Sequence, residues 1–453
     1  MHLKLTLLIL CALSASALNV LAENKIVTSS TAESNQTYND SDLTLSALNV
    51  TTNGVTYSGT NITLSATNNG GSTDAIGNGA YINNGAHLSL TNGSITTTGV
   101  NGDGVYITIR SSGTLNNVNI KTGGNVGHGV YAGGTSALTM TGGTVSTTAD
   151  SSGCGVYLYY GSNGTLNNVN IKTEGTFSYG VYATLRSLLT MTGGTVSTTG
   201  SNGYGAYLSS SSGTLNNVNI KTEGNAGHGV SLFTSTLTMT NSDISATGNN
   251  AYAINVASRS TATVNLNHNT ITGNILASGT STLTLSGSNG TVLTGNVTGT
   301  TGGTIGITLT GEDTALHGNI NQSGATINLT VGADALFEGG GELDNLTLES
   351  SALLGYTDGL TVTTSITIGD NITIDFSSLT ETDNYLVLDW TGASGGDAIS
   401  GDQFIIAGTG VEGTFSVTNN QLYFNATAVP EPSTWFLLGA ALGVLALIRR
   451  QTK

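Results

Sequence analysis

Proline is almost absent from this chain. Of 453 residues only Pro430 and Pro432 are proline, so nothing ahead of them interrupts a backbone hydrogen-bond ladder by removing an N–H. Cysteine is nearly absent too. Cys11 sits in an N-terminal apolar stretch, which leaves Cys154, and one thiol cannot form an intrachain disulfide. Basic residues are scarce, 11 against 27 acids, and none occurs from residue 260 to residue 448. A net charge of −16 distributed in this way repels a polyanion through that half and excludes nucleic acid as a partner. A 3.6-residue apolar period is also missing, which excludes ankyrin and tetratricopeptide arrays, and a propeller blade needs about 40 residues. What remains is glycine, 64 in all, with threonine, serine and asparagine and short bursts of valine, isoleucine and leucine. That mixture reads as many short strands joined by tight turns, with stability supplied by the fold itself.

An internal repeat organises the middle. GTLNNVNIKT begins at Gly113, Gly164 and Gly213, and a related LTMTGGTVSTT string begins at Leu138 and Leu189. The two alternate, so a period of about 50 residues holds two similar units of about 25, the spacing of a solenoid. Each unit carries a glycine, an aliphatic residue and usually tyrosine, as in Gly104-Val105-Tyr106 and Gly129-Val130-Tyr131. Within one unit Val105 and Ile107 share a parity, Leu115 begins a second strand, and Val118 and Ile120 take the opposite parity after Asn116-Asn117. A phase slip at a corner keeps the apolar face inward, and Asn-Asn or the Gly142-Gly143 and Gly193-Gly194 pairs tolerate the left-handed backbone a corner needs. The predicted fold is all-β: a right-handed parallel β-helix, with about 25-residue coils over residues 50–259 and about 22-residue coils over 260–350. Gly273-Asn274, Gly295-Asn296 and Gly318-Asn319 mark the shorter coils. Residues 23–49 read as an N-terminal cap with the first strands, and 351–428 as a β-rich C-terminal cap that covers the exposed strand edges of the solenoid.

Both termini carry addressing patterns. Lys4, the apolar stretch Leu5 to Leu13 and the small residues after it have the order of a secretory signal peptide over residues 1–22, with cleavage after Ala17 or Ala22. In residues 429–453, Pro430-Glu431-Pro432 makes a short extended segment, Trp435 to Ile448 an apolar helix, and Arg449 and Arg450 a basic stop. About 15 apolar residues reach only about 23 Å at the helical rise, short of the roughly 30 Å hydrocarbon core, as suits a transient anchor. This order strongly resembles the PEP-CTERM sorting signal of Gram-negative bacteria. The resemblance implies an exosortase as processing partner, a membrane-tethered precursor, and delivery to the outer envelope, cell surface or exopolysaccharide matrix. The repeats, in strings such as GVYATLRSLLTMTGGTVSTTG, resemble the passenger domains of autotransporter adhesins over most of residues 50–350. No outer-membrane barrel can be built from the 75 or so residues before the tag, and the sorting signal stands in its place.

Candidate chemistry is sparse. With Val105 and Ile107 inward, Tyr106 faces out, and so do Tyr81, Tyr131, Tyr157, Tyr182 and Tyr207. Six rings in register form an exposed stripe, which either stiffens the fold or stacks on neutral sugar rings. The residue between the paired glycines varies (Asn78, Asp103, His128, Cys154, Tyr179, Tyr204, His228), and this variation reads as an exposed loop position with no shared task. No metal site, cofactor or catalytic residue is expected. The acids Asp74, Asp103, Asp150, Glu174, Glu223 and Asp243 are spread along the chain, whereas glycan cleavage needs clustered carboxylates. Lys172 and Lys221, each two residues before a glutamate, read as a solvated charge ladder. The expected function is therefore a non-enzymatic, exported structural or adhesive protein, with two alternatives. One is a β-helix polysaccharide-cleaving enzyme; the other is an ice-binding protein, suggested by Thr96 to Thr98 and Thr147-Thr148.

Overall fold

The computed structural model describes residues 24–40, 45–68, 76–148, 150–357, 359–408 and 410–429. The signal peptide over 1–22 lies outside them, as do Pro430, Glu431, Pro432, Arg449, Arg450 and the transmembrane segment Trp435 to Ile448. The chain divides into two compact units, residues 1–255 and 256–453.

The first unit is a parallel β-helix with three strands per coil. One coil runs Val105–Ile107, Ser112–Asn116 and Asn119–Thr122, and the next Val130–Ala132, Ala137–Thr141 and Thr144–Thr147. Every strand pairs in parallel with its equivalent one coil on, Val105 with Val130 and Ile120 with Val145. Winding starts earlier than the sequence reading places it: Lys25–Val27 already pairs with Leu48–Val50 in parallel.

The corners follow the residues that tolerate them. Asn117 and Gly142 turn the corner after the second strand with φ of 51° and 63°. The corner after the first strand is lined inside by serine. Ser111, Ser136, Ser162, Ser187, Ser211 and Ser235 are buried, and from Ser136 onward each hydroxyl accepts the backbone N–H of the serine one coil earlier at 3.1–3.3 Å. The partners are 24 to 26 residues apart, which is the coil length. A strand that turns loses its ladder partner, and the hydroxyl replaces it.

Threonine does similar work at the end of the third strand. Thr97, Thr147, Thr173, Thr198 and Thr222 are buried, and each Oγ1 donates to a carbonyl five or six residues on. Thr97 and Thr147 are two of the threonines that suggest ice binding. They face the core because the inward parity set by Ile95 and Val145 includes them, while Thr96, Thr98 and Thr148 stay exposed.

The 50-residue period has a packing origin. Ile107 lies over Gly113, where an added Cβ would meet the isoleucine Cδ1 at 2.5 Å. One coil later the large and small residues exchange places as Ala132 and Leu138. Leu158 with Gly164 and Ala183 with Leu189 repeat the exchange, and an added Cβ on Gly164 would meet Leu158 at 2.6 Å. Large against small in alternate coils fills the interior without voids.

The second unit winds shorter coils. Asn274–Ser278, Thr282–Ser288 and Val292–Thr294 make one; Val297–Thr300, Thr304–Thr310 and Ala315–His317 the next. Parallel pairing continues past residue 350, through Leu360–Ile368, Ile372–Asp375 and Phe404–Ala407, so rungs extend into the stretch assigned by sequence to a cap. There the first and second strands fuse into single strands of eight or nine residues, Gly341–Leu348 and Leu360–Ile368. The corner that spells the repeat is lost while the winding persists. The true departure is the antiparallel hairpin Glu412–Thr418 and Gln421–Ala428. Its Phe424 stacks on Phe376 at 3.9 Å, beside a fully buried Trp390.

Candidate functional site: an aromatic face on the first unit

The glycine that opens the first strand in the central coils is required by the interior. An added Cβ on Gly104, Gly129, Gly155, Gly180 or Gly205 would fall 2.1–2.3 Å from a methyl of Ile120, Val145, Ile171, Val196 or Ile220 on the third strand. Only glycine admits this approach, and it sets the outward residue two positions later in register from coil to coil.

Tyr81, Tyr106, Tyr131, Tyr157, Tyr182 and Tyr207 occupy that outward place as direct strand partners. Neighbouring centroids lie 4.4 to 5.6 Å apart. In-register parallel strands repeat at about 4.8 Å, close to the preferred separation of stacked rings. The column is less open than the sequence suggests: Tyr81 is buried and the other five are half-buried.

A second column leans against the first. Tyr179 stacks on Tyr204 at 5.1 Å, Tyr204 on His228 at 4.7 Å, and His228 meets Tyr252 at 5.3 Å. Edge contacts join the columns, Tyr179 to Tyr182 at 5.3 Å and His128 to Tyr157 at 5.0 Å. Burial pushes the hydroxyls of Tyr157, Tyr179, Tyr182 and Tyr204 above the ordinary phenol range, so the face is uncharged. The sequence reading missed this second column. Its signal was the aromatic identity of the marker residue in later coils.

The marker position is not an exposed loop without a task. Asn78, Asp103, Cys154 and His228 are buried, and the position forms a ladder. Asn78 Oδ1 accepts the N–H of Asp103 at 2.9 Å, Asp103 Oδ1 that of His128 at 2.6 Å, and His128 Nδ1 that of Cys154 at 3.0 Å. Tyr252 N–H donates to His228 Nδ1 at 3.1 Å in the same way. Burial lowers His128 and His228 to about 4 and raises the Cys154 thiol to about 12. Asp103, His128 and Cys154 thus meet as sequential ladder members, and among the described residues no group of three or more His, Cys, Asp or Glu is placed to hold a metal.

The remaining acids lie elsewhere. Lys172 pairs with Glu174 at 2.6 Å and Lys221 with Glu223 at 2.5 Å, exposed on the third-strand side. Asp150 is exposed, and Asp74 lies outside the described residues. No helix among the described residues is long and apolar enough to cross a membrane.

Comparison with known families agrees with both halves of the reading. The family described as right handed beta helix region matches residues 103–297, and the PEP-CTERM protein-sorting motif matches residues 428–451. No curated protein matches the chain. The chain is an exported protein that carries a right-handed β-helix region and a PEP-CTERM motif through which an exosortase sorts it.

Proposed function

We propose that the protein is a non-enzymatic structural or adhesive β-helix of the cell surface or exopolysaccharide matrix, and that its aromatic face holds neutral sugar rings. The observation that carries this reading is a comparison within the chain. Coils of the second unit wind with Leu276, Thr298 and Asn321 at the outward place of the first strand, where the first unit has tyrosine. Winding therefore does not need the tyrosines. A flat, uncharged surface of ring faces and edges suits the apolar face of a pyranose. The resemblance to autotransporter passengers supports the adhesive role on the same terms.

The test is retention. In a producing strain, Tyr131→Ser with Tyr157→Ser should lower retention of the protein on washed exopolysaccharide several-fold while the circular dichroism spectrum stays that of a β-helix. Unchanged retention rejects the aromatic face as the contact. Release of reducing or unsaturated ends from exopolysaccharide by the purified protein would establish the polysaccharide-cleaving alternative instead.

A further inference from the structure

Beside the aromatic face, at the corner between the first and second strands, lies a groove of about 650 Å³ lined by Thr135, Tyr160, Gly161, Leu185, Arg186 and Ser210. Its volume falls within the roughly 300–1,000 Å³ of ligand pockets. The groove joins the aromatic face through Tyr159, whose ring lies 6.2 Å from that of Tyr160 and 5.8 Å from that of Tyr157.

Three features set this corner apart from a simple turn. Equivalent corners share left-handed backbone, Thr135 at φ 61° and Ser210 at 51° among them, but here bulky residues occupy it, Tyr160, Leu185 and Arg186 at 51°, 53° and 67°. Equivalent corners use Gly134 and Ser210, so the fold does not require large side chains here. The large side chains are also displayed, Tyr160 at 60% and Leu185 at 43% exposure. Bulky side chains placed in left-handed backbone and left open to solvent, where small ones serve the fold, point to a binding role. Finally, Arg186 is exposed and makes no ion pair among the described residues.

Charge complements this geometry. The chain is acidic as a whole, yet this corner carries Arg110 and Arg186, and the nearby Lys172 and Lys221 are paired with Glu174 and Glu223 on the third-strand side. Arg110 occupies the corner position of Arg186 three coils earlier, through the register Arg110, Thr135, Gly161, Arg186 set by the corner hydrogen bonds.

We infer that this groove binds an acidic glycan, with a uronate carboxylate on the Arg186 guanidinium, the sugar ring on Tyr160, and ring hydroxyls at Thr135 and Ser210. Guanidinium grips a carboxylate through two parallel hydrogen bonds, and an exposed phenol ring offers a stacking face to the same sugar. The site is distinct from the aromatic face. It rests on the proposed function only for the class of ligand.

The protein supplies its own conservative replacements. Arg186→Thr installs the residue of the Thr135 corner, and Tyr160→Ser that of Ser210, so both should fold as the parent does by circular dichroism. The probe is an oligogalacturonate titrated into the full chain, with the carboxyl-reduced oligomer as the neutral arm. Arg186→Thr should weaken oligogalacturonate binding roughly tenfold or more and leave the reduced oligomer unaffected. Tyr160→Ser should weaken both about fivefold. Equal affinity of the parent for the two oligomers, or oligogalacturonate binding unchanged by Arg186→Thr, overturns the inference, whatever the tyrosine variants do in the retention assay. Retention lost in those variants with oligogalacturonate binding intact would leave the two sites separate, as proposed.

Discussion

The two units solve one problem with different residues. In the first, the marker N–H groups of Asp103, His128, Cys154 and Tyr252 are taken up by asparagine, aspartate or neutral histidine, and the outward face beside them is aromatic. In the second, an asparagine ladder stands one residue further on, two places before the outward residue: Asn274 Oδ1 accepts from the N–H of Asn296 at 2.9 Å, Asn296 from Asn319 at 2.9 Å, and Asn319 from Gly340 at 3.0 Å. Those partners are 21 to 23 residues apart. Their outward residues are not aromatic, and no basic residue occurs in that stretch. What the units share is what winding demands; what they do not share is available for function.

The largest effect should come from the interior approach at the opening glycine of the first unit, set against an outward glycine of the second. An added Cβ on Gly129 would lie 2.1 Å from Val145 Cγ1 and 2.5 Å from the Gly155 carbonyl, whereas one on Gly306 in the second unit meets nothing within 4 Å. Gly129→Val should destabilise by at least about 3 kcal/mol, and Gly306→Ala by no more than about 0.5 kcal/mol. Denaturant titrations of the two variants check this. Equal midpoints would break the contrast.

Next comes the volume alternation. Ala132→Leu and Leu138→Gly should each destabilise, one by overfilling and the other by leaving a cavity. Combined, they convert this coil to the pattern of its neighbours, and the double variant should be more stable than the sum of the singles by about 2 kcal/mol. Strict additivity in the double-mutant cycle would show that the exchange is not what sets the 50-residue period.

Acid should separate the units further. His128 and His228 titrate near 4 when folded and near 6.5 when unfolded. Above about 6.5 their contribution is complete. As pH falls toward 4 the unfolded chain takes up protons that the folded ladder refuses, and stability is lost, by roughly 1–2 kcal/mol per ring. Protonation also turns the Nδ1 acceptor into a donor that faces another donor. Hydrogen exchange should therefore quicken at the Cys154 and Tyr252 amides between pH 7 and 5, relative to the Asn296 and Asn319 amides, whose acceptors do not titrate. His128→Asn, the residue already present as Asn78, should remove the difference at Cys154.

The smallest effect sharpens the picture inside the first unit. Thr222 Oγ1 donates to the Gly227 carbonyl at 2.9 Å, whereas the buried hydroxyl of Thr122 has no partner among the described residues. Thr222→Val should lower stability by about 1 kcal/mol and Thr122→Val should be neutral or better, which thermal melts of the pair can resolve.

Rungs and corners were legible in the sequence because they rest on residue identity. Asn117 and Gly142 announce left-handed corners, and Val105 and Ile107 an inward parity. The ladders were not legible, because a ladder needs an atom of a given kind rather than a given residue. Asn78, Asp103 and His128 look unrelated as letters, yet each offers one acceptor at one height. The serine series from Ser111 to Ser235 was written plainly, but serine is so common here that its 24-to-26-residue spacing does not stand out. The aromatic face was half legible. Stripe positions followed from parity, but the second column required knowing that the marker position stands beside the first. The corner groove was hidden because it joins residues three coils apart whose shared register only the winding reveals.

The exchange of large and small side chains between successive coils bears on how such a protein can lengthen over generations. Duplicating a single 25-residue segment would set Leu138 against a second copy of itself and Gly113 against another gap, misfilling the interior at the seam. Copying two segments together restores the order at both joins. Over the coils where the exchange holds, from Ile107 to Gly213, growth and shrinkage in pairs keep the interior filled, and each added pair brings another two outward rings and another corner open to change.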